Sequence, residues 1–413
     1  MRILSGRAAA ELVRKIARRS ARFTEVEPAV RDIIADVRRN GDSALRKYSE
    51  RWDGLAPGVA FKISEDEIQL AWMATSAELK RSLRIAATNI RRFCKHQKPT
   101  EWKRTSNGIT LGQLVRPLDS VGCYVPGGRY PLVSTLLMTA IPAQVAGVGR
   151  IVVTSPQAHP GVLAAASLLG IQEIYRVGGA QAIAALAYGT ESIARVNKIV
   201  GPGSLYVTAA KKQVAFDCAI DFLAGPTEAV IVCDTGTPEF IASDLIAQSE
   251  HDPEAISIFI TTRPELARCV ADSAKALSRE NSVAEQALEN NGAIFISASC
   301  QQSFEWANEI APEHLTIDRS DLMRVRNAGS IFVGDYAAQA AGDYASGPNH
   351  VLPTGGAARF RGGLSVLDFV KTISVQDVSR KGLQHIAPII TTLAGAEGLQ
   401  AHAQSIIARC GHA

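Results

Sequence analysis

Between residues 120 and 235 short β-branched runs alternate with alanine-rich stretches, and the turns between them carry glycine. RIVVTS (150–155) reads as a strand, GVLAAASLLG (161–170) as a helix closed by glycine, and EIYRVGG (173–179) as a second strand with a glycine turn. AQAIAALAYGT continues as a helix and KIVGPGS (198–204) as a third strand with its own glycine turn. A second series follows: EAVIVCD (228–234), a helix around residue 245, AISIFITT (255–262), AIFISAS (293–299) and AGSIFVGD (328–335). Strands alternating with helices of this length predict parallel sheets built from βαβ units. The expected class is α/β, with two Rossmann-like domains that lack GxGxxG, preceded by a mostly helical first hundred residues.

Other features narrow the class. The 413 residues exceed one small core. A hydrophobic fraction of 46% with 20% charged residues is that of a packed globular protein, and the net charge of +4 gives no electrostatic case for nucleic acid. The arginine-rich arm (2–22) and RRFCKHQK (91–98) lack the aromatic interleaving of a strand-binding surface. Seven cysteines without a CxxC pair argue against a zinc ribbon or disulfide framework and fit a reducing cytoplasm. The N-terminus can be read as a presequence or as a basic amphipathic segment packed on the body, and the second reading is preferred. YPLVSTLLMTAIPAQVAGVG (130–149) approaches spanning length, but its proline and polar residues make it a buried helix entering an α/β unit.

The glycine turns VGGAQAIAAL and VGPGSLYVTAA open helices and so suit a phosphate facing backbone N–H groups, or simply a tight βα turn. In SDLIAQSEHDPEA (243–255), Thr237 is the expected N-cap with Pro238 at the first helical position, and the helix stops before Pro253. Asp244, Gln248 and His251 then share a face, while Ile241, Leu245 and Ile246 turn to the core. That face meets water, a neighbour, or a metal of the zinc or manganese kind completed by other ligands. APEHLTI (311–317) sets Glu313 beside His314 at a loop or helix start, either as an acid/base pair or as surface residues. AGDYASGPNHVLPTGG (341–356) is a glycine- and proline-rich loop carrying Asp343 and His350.

PLDSVGCYVPGGRYPLVSTLLM, VGGAQAIAALAYGT, GPGSLYVTAAKKQV, DFLAGPTEAVIV, SDLIAQSEHDPEA, APEHLTI and AGDYASGPNHVLPT together resemble, in order, the signature segments of the histidinol dehydrogenase family. The resemblance implies one zinc ion per subunit held by Gln248, His251, Asp343 and His402, the last reaching in from the other subunit of a homodimer. It implies NAD-dependent oxidation of L-histidinol through L-histidinal to L-histidine in the cytoplasm, with His314 as general base and Glu313 activating water. Thr227 and Glu397, with His314 and the four ligand residues, become substrate contacts; Tyr124, Gln181 and Ser204 become NAD contacts. Thr227 stands where the family usually has serine, and Ser204 where it often has asparagine. The implied layout is an arm (1–20), a discontinuous first α/β domain (21–120 and 227–370) carrying the metal and catalytic residues, a second (121–226) on the NAD side, and an exchanged tail (371–413). An alternative substrate is another small alcohol, such as a sulfonated diol held by Arg129 beside Tyr130. No membrane or nucleic-acid partner is expected.

Overall fold

The computed structural model describes residues 1–19, 25–127 and 132–411. The chain opens with β1 (Arg2–Ser5) and α1 (Gly6–Ala17), then α2 (Glu27–Tyr48), α3 (Glu65–Ala74) and α4 (Ala77–Gln97). A hairpin of β2 (Trp102–Ser106) and β3 (Ile109–Pro117) leads into β4 (Ser120–Tyr124), α5 (Val133–Ala146), β5 (Arg150–Thr154) and α6 (Pro160–Leu169). β6 (Glu173–Tyr175), α7 (Gly179–Tyr188), β7 (Lys198–Val200), α8 (Leu205–Val214) and β8 (Ala219–Ile220) complete this unit. The second unit runs through β9 (Glu228–Val232), α9 (Pro238–Ser249), β10 (Ile256–Thr261), α10 (Pro264–Ser278), α11 (Ser282–Asn290) and β11 (Ala293–Ile296). α12 (Cys300–Ile310), β12 (His314–Ile317), β13 (Ser330–Val333) and α13 (Gln339–Tyr344) follow, and the tail is β14 (Val370–Val378), α14 (Arg380–Ala396) and α15 (Gln400–Gly411).

Both expected parallel sheets form. One has the order β6-β5-β4-β7-β8 and the other β1-β11-β10-β9-β12-β13. In each, apart from the edge strand β1, the strands run outward from an inner strand (β4 or β9) on one side and then cross to the other, which leaves a switch point between β4 and β7 and another between β9 and β12. Their inner strands are mostly apolar, as sheets covered on both faces require: Val121, Val152, Ile199, Val230, Phe259 and Leu315 are all buried. The hairpin pairs with the tail in an antiparallel sheet, β14-β3-β2.

The N-terminal segment is more integrated than an arm. β1 adds a parallel edge strand beside β11, and α1 buries Ala9 and Val13 against α12. The packing of 25–97 also differs from the expected grouping of 21–120 with 227–370. Helix α2 packs on α7 and α8, α3 on α6, and α4 on α5, so these helices cover the sheet of 120–220. Val30, Val37, Leu45, Leu83 and Ile90 share its cores, because its outer helices leave apolar faces that need covering. Within the apolar run 130–149, Val133–Ala146 form α5, a helix of 14 residues buried almost throughout. Among the described residues no helix is long and apolar enough to cross a membrane.

Candidate active site

A cleft lies where an end of one parallel sheet faces an end of the other. The loops after β4 and β7, at the carboxyl ends of the first sheet and at its switch point, supply Pro126, Pro202, Gly203 and Ser204. The second sheet presents its amino ends: Thr227 precedes β9, Glu313 precedes β12, and His314 is the first residue of β12. The cavity between them has a volume of about 360 Å³ and includes Gln248, His251, Asp343 and His350.

Glu313 and His314 occupy a strand start rather than a loop or helix start. Ala311 ends α12 in the left-handed region (φ 51°), after which Pro312 and Glu313 accept N–H bonds from Gly329 and Ser330 and the chain enters the sheet. His314 stands in register with Ala229 and Ser330 and is 3% exposed, its ring stacked on Phe332 at 5.8 Å. Its Nε2 lies 3.3 Å from Asp343 Oδ1, and its Nδ1 is buried without a hydrogen-bond partner, 3.7 Å from Glu313 Oε2. The Glu313 carboxylate accepts the Glu228 N–H at 3.0 Å. The Glu228 side chain in turn pairs with Arg19, which also donates to the Ile16 and Ile310 carbonyls.

Burial pushes the Glu313 carboxyl up to about 8, with the Glu228 and Asp343 charges adding to the rise. For His314 burial works in the opposite sense, but the Glu313 and Asp343 carboxylates outweigh it and raise the imidazole above its ordinary value. Burial also opposes charge on Asp343, yet the bond and charge of His314 hold its carboxyl below the usual range. A buried carboxyl and an adjacent imidazole whose proton affinities are brought close together form a pair suited to passing protons near neutrality.

The ligand candidates converge in part. Gln248 sits near the end of α9, 2% exposed, and its Nε2 donates to Asp343 Oδ2 at 3.1 Å. α9 begins at Pro238 after Thr237, as expected, although the Thr237 side chain makes no cap bond. It ends at Ser249, so His251 lies just beyond the last turn, exposed, and still borders the cavity. Asp343 belongs to the short helix α13 rather than to the loop that follows it. His350, on that loop, holds Asp343 in place: its Nδ1 lies 2.8 Å from the Asp343 carbonyl oxygen and its Nε2 3.4 Å from Thr135 Oγ1. Among the described residues no three His, Cys, Asp or Glu side chains form a metal cluster. Gln248, His251 and Asp343 include only two of those types, so their mixed N/O donor set suits a cation only when another donor joins it. His402 and Glu397 lie in the tail, exposed, and do not border the cavity of their own chain.

The cofactor candidates converge as well. Tyr124, Gln181 and Ser204 line an adjacent cavity of about 460 Å³ that shares Pro126 and Ser204 with the first. The glycine turns behind it do not leave their leading amides open. Gly178 donates to Asp53 Oδ2 at 3.0 Å, Gly179 to the Tyr124 hydroxyl at 3.1 Å, and Gly201 to Asp221 Oδ2 at 2.7 Å. Asp221 is paired with the buried Lys211, which also donates to the Gly201 carbonyl. Sequence reasoning missed Asp53, whose contacts lie 125 and 128 residues away in the chain, and also Lys211 and the bracing role of His350, whose contacts form only once the loops fold back. Arg129 and Tyr130 lie outside the described residues.

The profile described as histidinol dehydrogenase matches residues 16–410. The chain belongs to the histidinol dehydrogenase family. It is 48% identical to the histidinol dehydrogenase of Methanothermobacter thermautotrophicus, over 91% of each chain, and 45% identical to that of Methanosarcina mazei, over 99% of this chain and 97% of the relative. The crystal structure of histidinol dehydrogenase from Elizabethkingia anophelis superposes with a TM-score of 0.94 at 36% identity, covering 99% of this chain and 98% of that one. Membership makes the protein an enzyme, an oxidoreductase of amino-acid biosynthesis, with the α/β architecture described above.

Proposed function

We propose that the protein oxidises L-histidinol to L-histidine in two NAD-dependent steps, in a site that needs zinc and a second subunit. The observation that carries this reading is the juxtaposition in one cleft of the Glu313–His314 pair, the Gln248, His251 and Asp343 donors, and Ser204 of the opposite sheet. Relatives at 45–48% identity that bear the name histidinol dehydrogenase support the substrate.

His314 takes the proton of the alcohol as hydride leaves the carbinol carbon. Its buried Nδ1, close to Glu313, gives the ring a second site through which the proton is passed on. Glu313 then accepts a proton from the water that adds to the aldehyde, and His314 serves again as base when the hydrate is oxidised. Asp343 orients the His314 ring through Nε2, and Thr227 offers a hydroxyl at the mouth of β9. Gln248, His251 and Asp343, with His402 of a second copy, would hold the zinc, which would supply a positive charge for orienting the substrate. NAD, bound by Tyr124, Gln181 and Ser204, supplies the hydride acceptor.

A second copy is also suggested by the tail, which carries exposed Ile373, Ile389, Leu393, Leu399 and Ile407 beside Glu397 and His402. Such a patch fits a subunit interface. The test is NADH formation at 340 nm by zinc-loaded protein given L-histidinol, with His314→Ala in parallel. Two NADH per histidinol, lost in the variant and after chelation, is the expected result. Zinc binding with NADH formed from another alcohol alone overturns the substrate and leaves the site.

A further inference from the structure

The cavity beside the catalytic cleft contains a charge that none of the assigned cofactor contacts explains. Asp53 ends the turn that follows α2 and reaches the amino end of α7, 125 residues later in the chain. Its Oδ2 accepts both the Gly178 N–H at 3.0 Å and the Gln181 Nε2 at 3.1 Å. A carboxylate can only accept, so this contact forces the Gln181 amide to turn its nitrogen toward Asp53 and its Oε1 away. That Oε1 is buried and has no partner within the protein. A Cβ on Gly179 would meet it at 2.6 Å, so only glycine at this position leaves room for the acceptor.

A helix start with a free glycine turn would welcome phosphate. This one has a carboxylate and a tyrosine hydroxyl in place of the anion, and an amide oxygen set beside them. The wall therefore offers acceptors, which suit hydroxyl and amino donors and repel a phosphate. Trp52 and Tyr206, 50% and 46% exposed, give the same wall two aromatic faces on which a base can stack. Since the neighbouring cleft holds His314, a dinucleotide spanning both cavities places its nicotinamide there and its adenosine half here.

We propose that Asp53 is the specificity-determining residue of this cavity: it orients Gln181 and, by its charge, makes the site take an adenosine ribose with a free 2′-hydroxyl and reject one bearing a 2′-phosphate. The proposal rests on the NAD reading given above. Calorimetric binding of NAD and NADP, without any alcohol, tests it on wild-type holoenzyme and on Asp53→Asn. The wild type is expected to prefer NAD by about 100-fold, and the variant to lose at least about tenfold of that preference. In turnover the variant shows a raised KM for NAD, with kcat at saturating NAD within about threefold of wild type. Equal weakening of both dinucleotides, or an unchanged ratio in a folded variant, overturns the assignment. Should Asp53→Asn not fold, Asp53→Ser takes its place in the same titrations with the same two outcomes, and wild type that binds NADP within about threefold of NAD refutes the proposal without any variant. Wild type that binds neither dinucleotide overturns the cofactor reading itself, and is recognised separately by the absence of NADH from histidinol.

Discussion

The pair at 313 and 314 concentrates most of the chemistry in two adjacent side chains whose environments pull their proton affinities together. Glu313→Gln keeps the shape and the bond from the Glu228 N–H but removes the base for water. The expected outcome is one NADH per histidinol with histidinal accumulating, a drop of about 10²–10⁴ in the second oxidation, and a first oxidation far less affected. The same residue sets a pH dependence of stability in zinc-free protein. Its carboxyl is raised from 4.5 to about 8 on folding, so across that window the folded state holds a proton that the unfolded chain has released. Folding is then disfavoured progressively as pH rises through the window. Denaturant titrations at several pH values are expected to show a shallower decline in Glu313→Gln; an identical slope would count against the raised value. Adjacent acid and imidazole were legible in the sequence, whereas their burial at a strand start was not, because HLTI becomes a strand only when β9 and β13 are there to pair with it.

At the scale of elements, the glycine turns mark where backbones approach closely. Gly201 has φ +116°, and a Cβ there would collide with the Tyr124 carbonyl at the end of β4. This loop carries Ser204, which borders both cavities. Gly201→Ala is expected to cost about 1–3 kcal/mol of backbone strain and to raise the KM for NAD more than that for histidinol. Calorimetric cofactor titration and a thermal melt together check this; wild-type affinity in the variant refutes the loop's part. The helix and strand periods were readable along the chain because burial on both faces leaves continuous apolar runs. The amides of the glycine turns were not, since Asp53 and Asp221 come from other elements and satisfy N–H groups that local sequence leaves open.

For the whole molecule, the cleft exists because two sheets face each other with opposite ends, and under the proposed function the tail of a second copy completes it. His314→Ala and His402→Ala are each expected to be inactive. Mixed under conditions of subunit exchange they are expected to regain about a quarter of wild-type activity, because half the dimers are hybrid and each hybrid holds one intact site. No recovery, with exchange verified by native mass spectrometry, would show that His402 acts within its own chain. The sequence by itself determined the two α/β units, the start of α9 at Pro238, and the ordered motifs that place the chain in its family, since these depend on local propensity and period. Only the tertiary structure decided that β1 extends the catalytic sheet, that 25–97 covers the other sheet and so delivers Asp53 to the cofactor cavity, and that Glu313 and His314 are buried. Those outcomes depend on which apolar faces are left uncovered once the sheets have formed, a property of surfaces in contact rather than of neighbours in the chain.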